Sequence, residues 1–198
     1  MSWLRQAATS VGDAFAWPLR ASHYLELVNP LWSTHALQAR IESVWDETAD
    51  ARTLTLRPGH NWRAHRAGQY IRVGVPIDGK QLTRTYSISS APGDELIQIT
   101  VKAIGRVSQH LVRTAQPGDY LPIGIPQGEF VLPDATPVSP LFVSAGSGVT
   151  PIRSMLDHLI AQDRLPHVTH VHYAPHARDV VFGDALRELT TKHPRYTL

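Results

Sequence analysis

The feature that most constrains this chain is a change of hydrophobic period near residue 137. Before that point apolar and polar residues alternate. Leu54 and Leu56 alternate with Thr53 and Thr55, Ile71, Val73 and Val75 with Tyr70, Arg72 and Gly74, and Ile97, Ile99 and Val101 with Gln98, Thr100 and Lys102. A period of two sends one side of each segment into a core, so these are half-buried antiparallel strands. Pro58-Gly59, Asp78-Gly79, Pro92-Gly93-Asp94 and Pro117-Gly118-Asp119 separate them. Glycine supplies positive φ and proline fixes its own, which makes each of these a turn. Short strands spaced in this way between about Thr34 and Pro133 read as a small barrel or sandwich, interrupted by one helix from Ser108 to about Thr114.

After residue 137 the pattern is that of strand, helix, strand, helix. Leu141-Phe142-Val143-Ser144-Ala145 is a continuous apolar run suited to a buried parallel strand, and a glycine turn follows it. Ile152, Met155, Leu156, Leu159 and Ile160 then recur at helical spacing. Val168 to Ala174 is a second strand, and Phe182, Ala185, Leu186 and Leu189 mark a second helix. This is the start of a doubly wound α/β lobe. The expected organisation is a helical extension over residues 1–33, a β domain over 34–136 and a partial α/β lobe over 137–198, with the Pro-containing Asp134-Ala135-Thr136-Pro137 segment as the linker.

Composition removes several classes of function. The chain has no cysteine, which excludes a disulfide, a thiolate zinc site and a cysteine-ligated iron–sulfur cluster within these residues. Its 19 basic and 17 acidic residues nearly balance, and its lysines are only Lys80, Lys102 and Lys192. No basic stripe for nucleic acid results, and nucleic acid is not an expected partner. Arg5, Asp13 and Arg20 interrupt the first twenty residues, which therefore do not read as a secretory leader or a membrane span. Leu4, Ala8, Val11, Phe15 and Leu19 instead have helical spacing, and with Arg5 nearly alone as a basic residue this stripe is expected to pack on the protein rather than anchor it to lipid. The expected location is the cytoplasm, with peripheral attachment to the inner face of the membrane as the variant of that reading.

Three motifs carry chemistry. In Arg84-Thr85-Tyr86-Ser87 alternation places Arg84 and Tyr86 on one strand face, with Thr85 and Ser87 on the other unless a bend re-aims them. An arginine fork suits a pyrophosphate, a tyrosine can lie flat on an aromatic cofactor, and a serine hydroxyl can donate to it. In Gly105-Arg106-Val107-Ser108 a glycine turn opens a helix whose free N–H groups face any anion placed there, with Ser108 as a capping type. In Gly146-Ser147-Gly148-Val149-Thr150-Pro151 the turn directly follows a buried strand, and Pro151 suits the first helical position. It lacks the third glycine of the dinucleotide fingerprint. His167, His170, His172 and His176 cluster further on, and His170 and His172 share a strand face. No cysteine and no nearby carboxylate other than Asp179 completes a ligand set, so no metal is assigned.

Together and in this order the motifs resemble the ferredoxin-reductase-type flavoprotein oxidoreductases, in which an antiparallel β-barrel flavin domain with one capping helix precedes a doubly wound nicotinamide lobe. The resemblance implies FAD as cofactor and NAD(P)H as co-substrate. It implies that Arg84, Thr85, Tyr86 and Ser87 form the flavin segment, that Val101 and Lys102 border the flavin, and that Gly105, Arg106, Val107 and Ser108 hold its pyrophosphate. Gly146, Gly148, Thr150 and Pro151 would form the nicotinamide turn, and Ser87, Tyr86 and Thr150 would lie at the reacting atoms. The segment from His23 to Ser33 is similar to the lead-in of a subgroup that passes electrons toward membrane-bound fatty-acyl desaturases or alkane hydroxylases. The implied partner is an iron–sulfur acceptor, on a separate chain or on a further C-terminal domain. Residues 138–198 are too few for five or six strands, so the lobe is expected to be truncated. The rival expectations are a flavin-binding fragment without catalysis and a ferric-chelate reductase.

Overall fold

A computed structural model describes residues 26–133, 135 and 137–198. The helical stripe expected over the first twenty residues and the linker residues Asp134 and Thr136 lie outside the described residues. The first domain contains β1 (Gln38–Thr48), β2 (Ala51–Pro58), β3 (Tyr70–Ile77), β4 (Lys80–Ser87), β5 (Ile97–Lys102), helix α1 (Arg106–Thr114) and β6 (Tyr120–Pro122). All strand pairs are antiparallel, in the order β5-β2-β1-β6 and β3-β4. Single bridges between Val73 and Ile123, Tyr70 and Gln127, and Ile88 and Ile99 join the two sheets into a barrel. Register shifts along β1, between Ile41 and Ser43 and between Asp46 and Thr48, allow the curvature that closure needs.

The alternating residues fill this barrel. Leu54, Leu56, Ile71, Val73, Ile97, Ile99 and Val101 are all buried, and α1 closes one end with Val107 and Leu111. The Asp78-Gly79 hairpin has φ of 50° and 70°, the mirror-image turn that matches strand twist and sets the β3–β4 register. Helix α1 starts two residues before the position read from the sequence. Gly105 is its N-cap and Ser108 its third residue. The Ser108 hydroxyl reaches back to accept the N–H groups of Gly105 (2.9 Å) and Ile104 (3.1 Å), so it closes the helix start from inside rather than as the cap.

The second unit runs β7 (Leu141–Ala145), α2 (Val149–Ala161), β8 (Val168–Tyr173), α3 (Gly183–Lys192) and β9 (Tyr196–Thr197), with parallel pairing in the order β7-β8-β9. Val149, Ile152, Leu156, Leu159, Val168, Leu186, Leu189 and Tyr196 form one core between the helices and one face of the sheet. The apolar run of β7 is therefore not buried on both sides as its composition suggested. Phe142 and Ser144 turn toward the helices, while Leu141 (63 % exposed) and Val143 (61 % exposed) share a bare face with Val171 and Tyr173. On the covered face Ser144 Oγ lies 2.8 Å from His170 Nε2 and 2.7 Å from His172 Nδ1, and the Tyr196 hydroxyl lies 2.7 Å from His170 Nδ1. His170 and His172 thus hydrogen-bond within the lobe, while His167 and His176 are exposed. Burial, helped by the neighbouring His172, pushes His170 down to about 4.

The two units share buried contacts. The Ser154 hydroxyl on α2 donates to the Ser90 carbonyl at 2.6 Å, and His65 Nε2 lies 3.3 Å from the same oxygen. Ala51 of β2 is part of the α/β core.

Candidate functional site

A cavity of about 460 Å³ lies where the end of β4, the start of α1 and the turn after β7 meet. Arg84, Thr85, Tyr86 and Ser87 all line it. Strict alternation would have hidden two of them. Along these residues, however, β4 is paired only with β3, and its other edge first meets β5 at Ile88, so both strand faces open onto the same space. Tyr86 is half-buried against the barrel core, and its hydroxyl is enclosed without a hydrogen-bond partner among the described residues. Burial pushes this phenol up to about 12 against the opposing effect of Arg84, which keeps it a neutral donor. Ser87 is half-buried and lines the cavity wall.

Cationic groups bound the cavity. The Arg84 guanidinium donates to the Thr83 carbonyl at 2.7 Å, Lys102 pairs with Asp50 at 3.3 Å, and Arg106 pairs with Asp78 of the β3–β4 hairpin. The N–H groups of the first turn of α1 have no acceptor within the helix. Gly105 is extended, with φ −112° and ψ 179°, and a Cβ there would meet no atom within 4 Å. Neither backbone strain nor packing within the chain requires this glycine. The open space above it is the shape that a close-lying anion would fill.

From the second unit Ser147, Gly148, Thr150 and Pro151 reach the cavity. A 3₁₀ turn over Gly146–Gly148 precedes α2, so Pro151 is the third helical residue and not the first. It is still in the first turn, where a missing N–H leaves no intrahelical bond unmade. The Thr150 hydroxyl donates to the Ser147 carbonyl at 2.9 Å and braces the turn. Two expected residues do not line the cavity. Val101 points into the barrel core, and Gly146 begins the turn at φ 52° outside the cavity wall. Thr100, Ile104 and Ser147 were not expected there. Thr100 was nonetheless legible, since alternation along β5 puts it on the same side as Lys102.

Arg84, Lys102 and Arg106, the free N–H groups of α1 and the unpartnered Tyr86 hydroxyl make a donor set suited to a ring bearing a polyol and a pyrophosphate. The residues present fit a flavin dinucleotide.

The barrel, the site and the α/β unit define a two-domain flavin- and nicotinamide-binding class, and comparison with known proteins agrees. Residues 38–132 match the oxidoreductase FAD-binding domain, and residues 142–198 match the oxidoreductase NAD-binding domain. The chain belongs to the ferredoxin-reductase-type family of FAD- and NAD(P)-binding flavoprotein oxidoreductases. It is 43% identical over 188 residues to an NADPH oxidoreductase of Mycobacterium tuberculosis (strain ATCC 25618 / H37Rv), which covers 91% of this chain and 50% of that protein. It is 35% identical over 174 residues to the ferredoxin reductase component of 3-ketosteroid-9-alpha-monooxygenase from the same strain, covering 81% of this chain and 48% of that one. Among solved structures it is similar to phthalate dioxygenase reductase, with a TM-score of 0.65 and 28% identity over 79% of this chain and 48% of the other. The chain spans about half the length of the curated relatives it matches. Among the described residues no helix is long and apolar enough to cross a membrane.

Proposed function

We propose that this chain binds FAD in the cavity between its two units, accepts hydride from NAD(P)H there and passes single electrons to an iron–sulfur protein. The observation that carries the reading is the convergence of Arg84–Ser87, the start of α1 and the Ser147–Pro151 turn on one cavity. Bound FAD supplies the conversion of a hydride into two single electrons, which no side chain can perform. Arg84, Lys102 and the turn from Gly105 to Ser108 hold the phosphates and border the ring. Tyr86 stacks and donates its hydroxyl. Ser87 donates to the hydride-accepting nitrogen, and Thr150, braced on Ser147, sets the nicotinamide turn. The domain division at residues 34–136 and 137–198 rests on the change of period, with the matched segments 38–132 and 142–198 as its support.

The iron–sulfur acceptor is supported by the two relatives named for it, a ferredoxin reductase component and a reductase for electron transfer from pyridine nucleotides to [2Fe–2S]. The chain has no cysteine, so the cluster belongs to other residues than these. A membrane-bound desaturase or hydroxylase as the final acceptor rests on the lead-in segment, where Leu27, Val28 and Trp32 are exposed apolar residues. The test is reconstitution with FAD, anaerobic mixing with NADPH and NADH, and then addition of a [2Fe–2S] ferredoxin. Flavin bleaching followed by ferredoxin reduction is expected. A colourless protein, or a flavin that neither nucleotide bleaches, refutes the proposal.

A further inference from the structure

Between the cavity and a second groove runs a chain of hydroxyl groups that the binding roles above do not use. Thr100 lines the cavity and is buried. Its Oγ1 lies 2.7 Å from Thr53 Oγ1 on the neighbouring strand, and Thr53 Oγ1 lies 2.6 Å from Glu47 Oε1 on β1. Ser89 Oγ flanks Thr100 at 3.2 Å. Glu47 and Thr53 line a groove of about 500 Å³ on the far side, together with Trp45, Arg153 and Phe182. The chain therefore leads from the cofactor cavity, across the outer faces of β5 and β2, to a carboxylate at the protein surface.

Donor bookkeeping gives this chain a direction. A carboxylate only accepts, so Thr53 spends its single proton on Glu47. The Thr53–Thr100 contact must then be donated by Thr100, and Ser89 donates to Thr100. One acceptor position of the Thr100 oxygen is left over. Neighbouring charges do not compete for Glu47: Asp46 accepts from Arg52 at 2.6 Å, and Arg153 is paired with Asp157 at 2.7 Å. Burying hydroxyls costs free energy that valines of nearly equal shape would avoid, so mutual satisfaction alone does not account for threonine at both positions.

We infer that Thr100, Thr53 and Glu47 form a proton exit from the flavin cavity. The inference rests on the proposed function. In that reaction NAD(P)H and two oxidised one-electron acceptors give NAD(P)⁺, two reduced acceptors and one proton, so a proton must leave the cavity in each cycle. Thr100 receives it on its remaining acceptor position while its own proton moves to Thr53, and Thr53 passes its proton to Glu47. The O–H bonds made and broken balance at each oxygen, and Glu47 releases the proton to water in the groove. Thr100, Thr53 and Glu47 act here as proton carriers, with Ser89 as a positioning residue.

The test uses the full 198-residue chain, first without flavin. NMR should show the Thr53 and Thr100 hydroxyl protons protected from exchange, and Glu47→Ala should speed their exchange about tenfold or more by removing the terminal acceptor. With FAD loaded and reduced by light, so that no NAD(P)H is needed, reoxidation by ferricyanide in weak buffer containing a pH dye reports proton release. Wild type should release one proton per two electrons. Glu47→Gln and Thr100→Val should slow release and reoxidation about tenfold or more, with Thr100→Ser restoring the rate; a group acting directly as acid or base would be worth about a hundredfold or more. Glu47→Gln lies outside the cavity and should leave FAD affinity unchanged, so it decides the question even if Thr100→Val does not fold. Unchanged hydroxyl exchange in Glu47→Ala, or unchanged proton release in Glu47→Gln, overturns the inference. A wild-type chain that takes up no FAD refutes the proposed function instead.

Discussion

Gly105→Ala separates a cofactor site from an ordinary helix start. In the chain itself the substitution should cost almost nothing. Gly105 has φ −112°, which any residue adopts, and the added Cβ meets no atom within 4 Å. Alanine is a poorer N-cap than glycine by about 0.5–1 kcal/mol. The smaller entropy of its unfolded chain returns about 0.4–1 kcal/mol. The stability of the flavin-free protein should thus stay within about 0.5 kcal/mol of wild type in urea denaturation. If a phosphate lies against the first turn of α1, the methyl group occupies its approach and one charge-assisted bond is lost or lengthened. That is worth about 1.5–3 kcal/mol, or roughly ten- to a hundredfold in Kd. Titration of FAD by fluorescence quenching measures it. Gly68→Ala is the contrasting case, with φ 100° and a Cβ that would run into the Phe130 carbonyl and the Met155 side chain. It should destabilise the flavin-free protein by about 2 kcal/mol or more. A Gly105→Ala variant with unchanged FAD affinity refutes the phosphate assignment. One that loses more than about 1 kcal/mol of stability refutes the claim that packing leaves this position open.

Arg84→Ala should weaken FAD binding by about 2 kcal/mol through loss of charge-assisted bonds, measured by calorimetric titration, and unchanged affinity would place the clamp elsewhere. Ser87→Ala should slow flavin bleaching by NAD(P)H in stopped flow more than it weakens FAD binding, because its hydroxyl matters most as charge develops; equal rates would remove it from the reaction. His170 is held at about 4 in the folded chain against an ordinary 6.5, so the folded state binds fewer protons between these values. Its contribution to stability is complete above pH 6.5 and is lost as the pH falls toward 4. Urea midpoints should therefore drop over that window, and less steeply in His170→Gln. The bare face carrying Leu141, Val143, Val171 and Tyr173 should make the 198-residue chain self-associate in light scattering, and Val143→Lys with Tyr173→Lys should reduce this.

Most of the barrel was legible because alternation and turn chemistry point the same way. Leu54, Ile71 and Ile99 are buried as their period requires, and Asp78-Gly79 makes the hairpin its residues demand. What the pattern did not show depends on neighbours distant in sequence. Continuous apolarity in β7 says nothing of whether one face or two will be covered, and Leu141 and Val143 are exposed because both helices pack on the other side. Ser108 looks like a cap in one dimension, yet its hydroxyl serves from the third helical position. Val101 and Thr100 are adjacent on β5, and strand geometry alone decides that the apolar one enters the barrel while the polar one enters the cavity.

The same alternation explains why one strand can serve two purposes. The inner faces of β2 and β5 hold the barrel together through Leu54, Leu56, Ile97, Ile99 and Val101. Their outer faces are free of that duty, and there the chain carries Ala51, Thr53, Thr100 and Lys102: a contact with the α/β core, two linked hydroxyls and a cation. A solvent-facing strand surface would be an ordinary place for these residues, and their hydroxyls would be hydrated. Here Ser154 on α2 bonds Ser90 beside them and the α/β unit covers the surface, so Thr53 and Thr100 are buried and must find partners in each other and in Glu47. Docking of the second unit is thus what converts a hydrated strand face into an ordered hydroxyl chain. Replacing Ser154 by Ala, which removes the bond to Ser90, should loosen that cover and raise hydroxyl exchange at Thr53 and Thr100 while the inner barrel core stays protected.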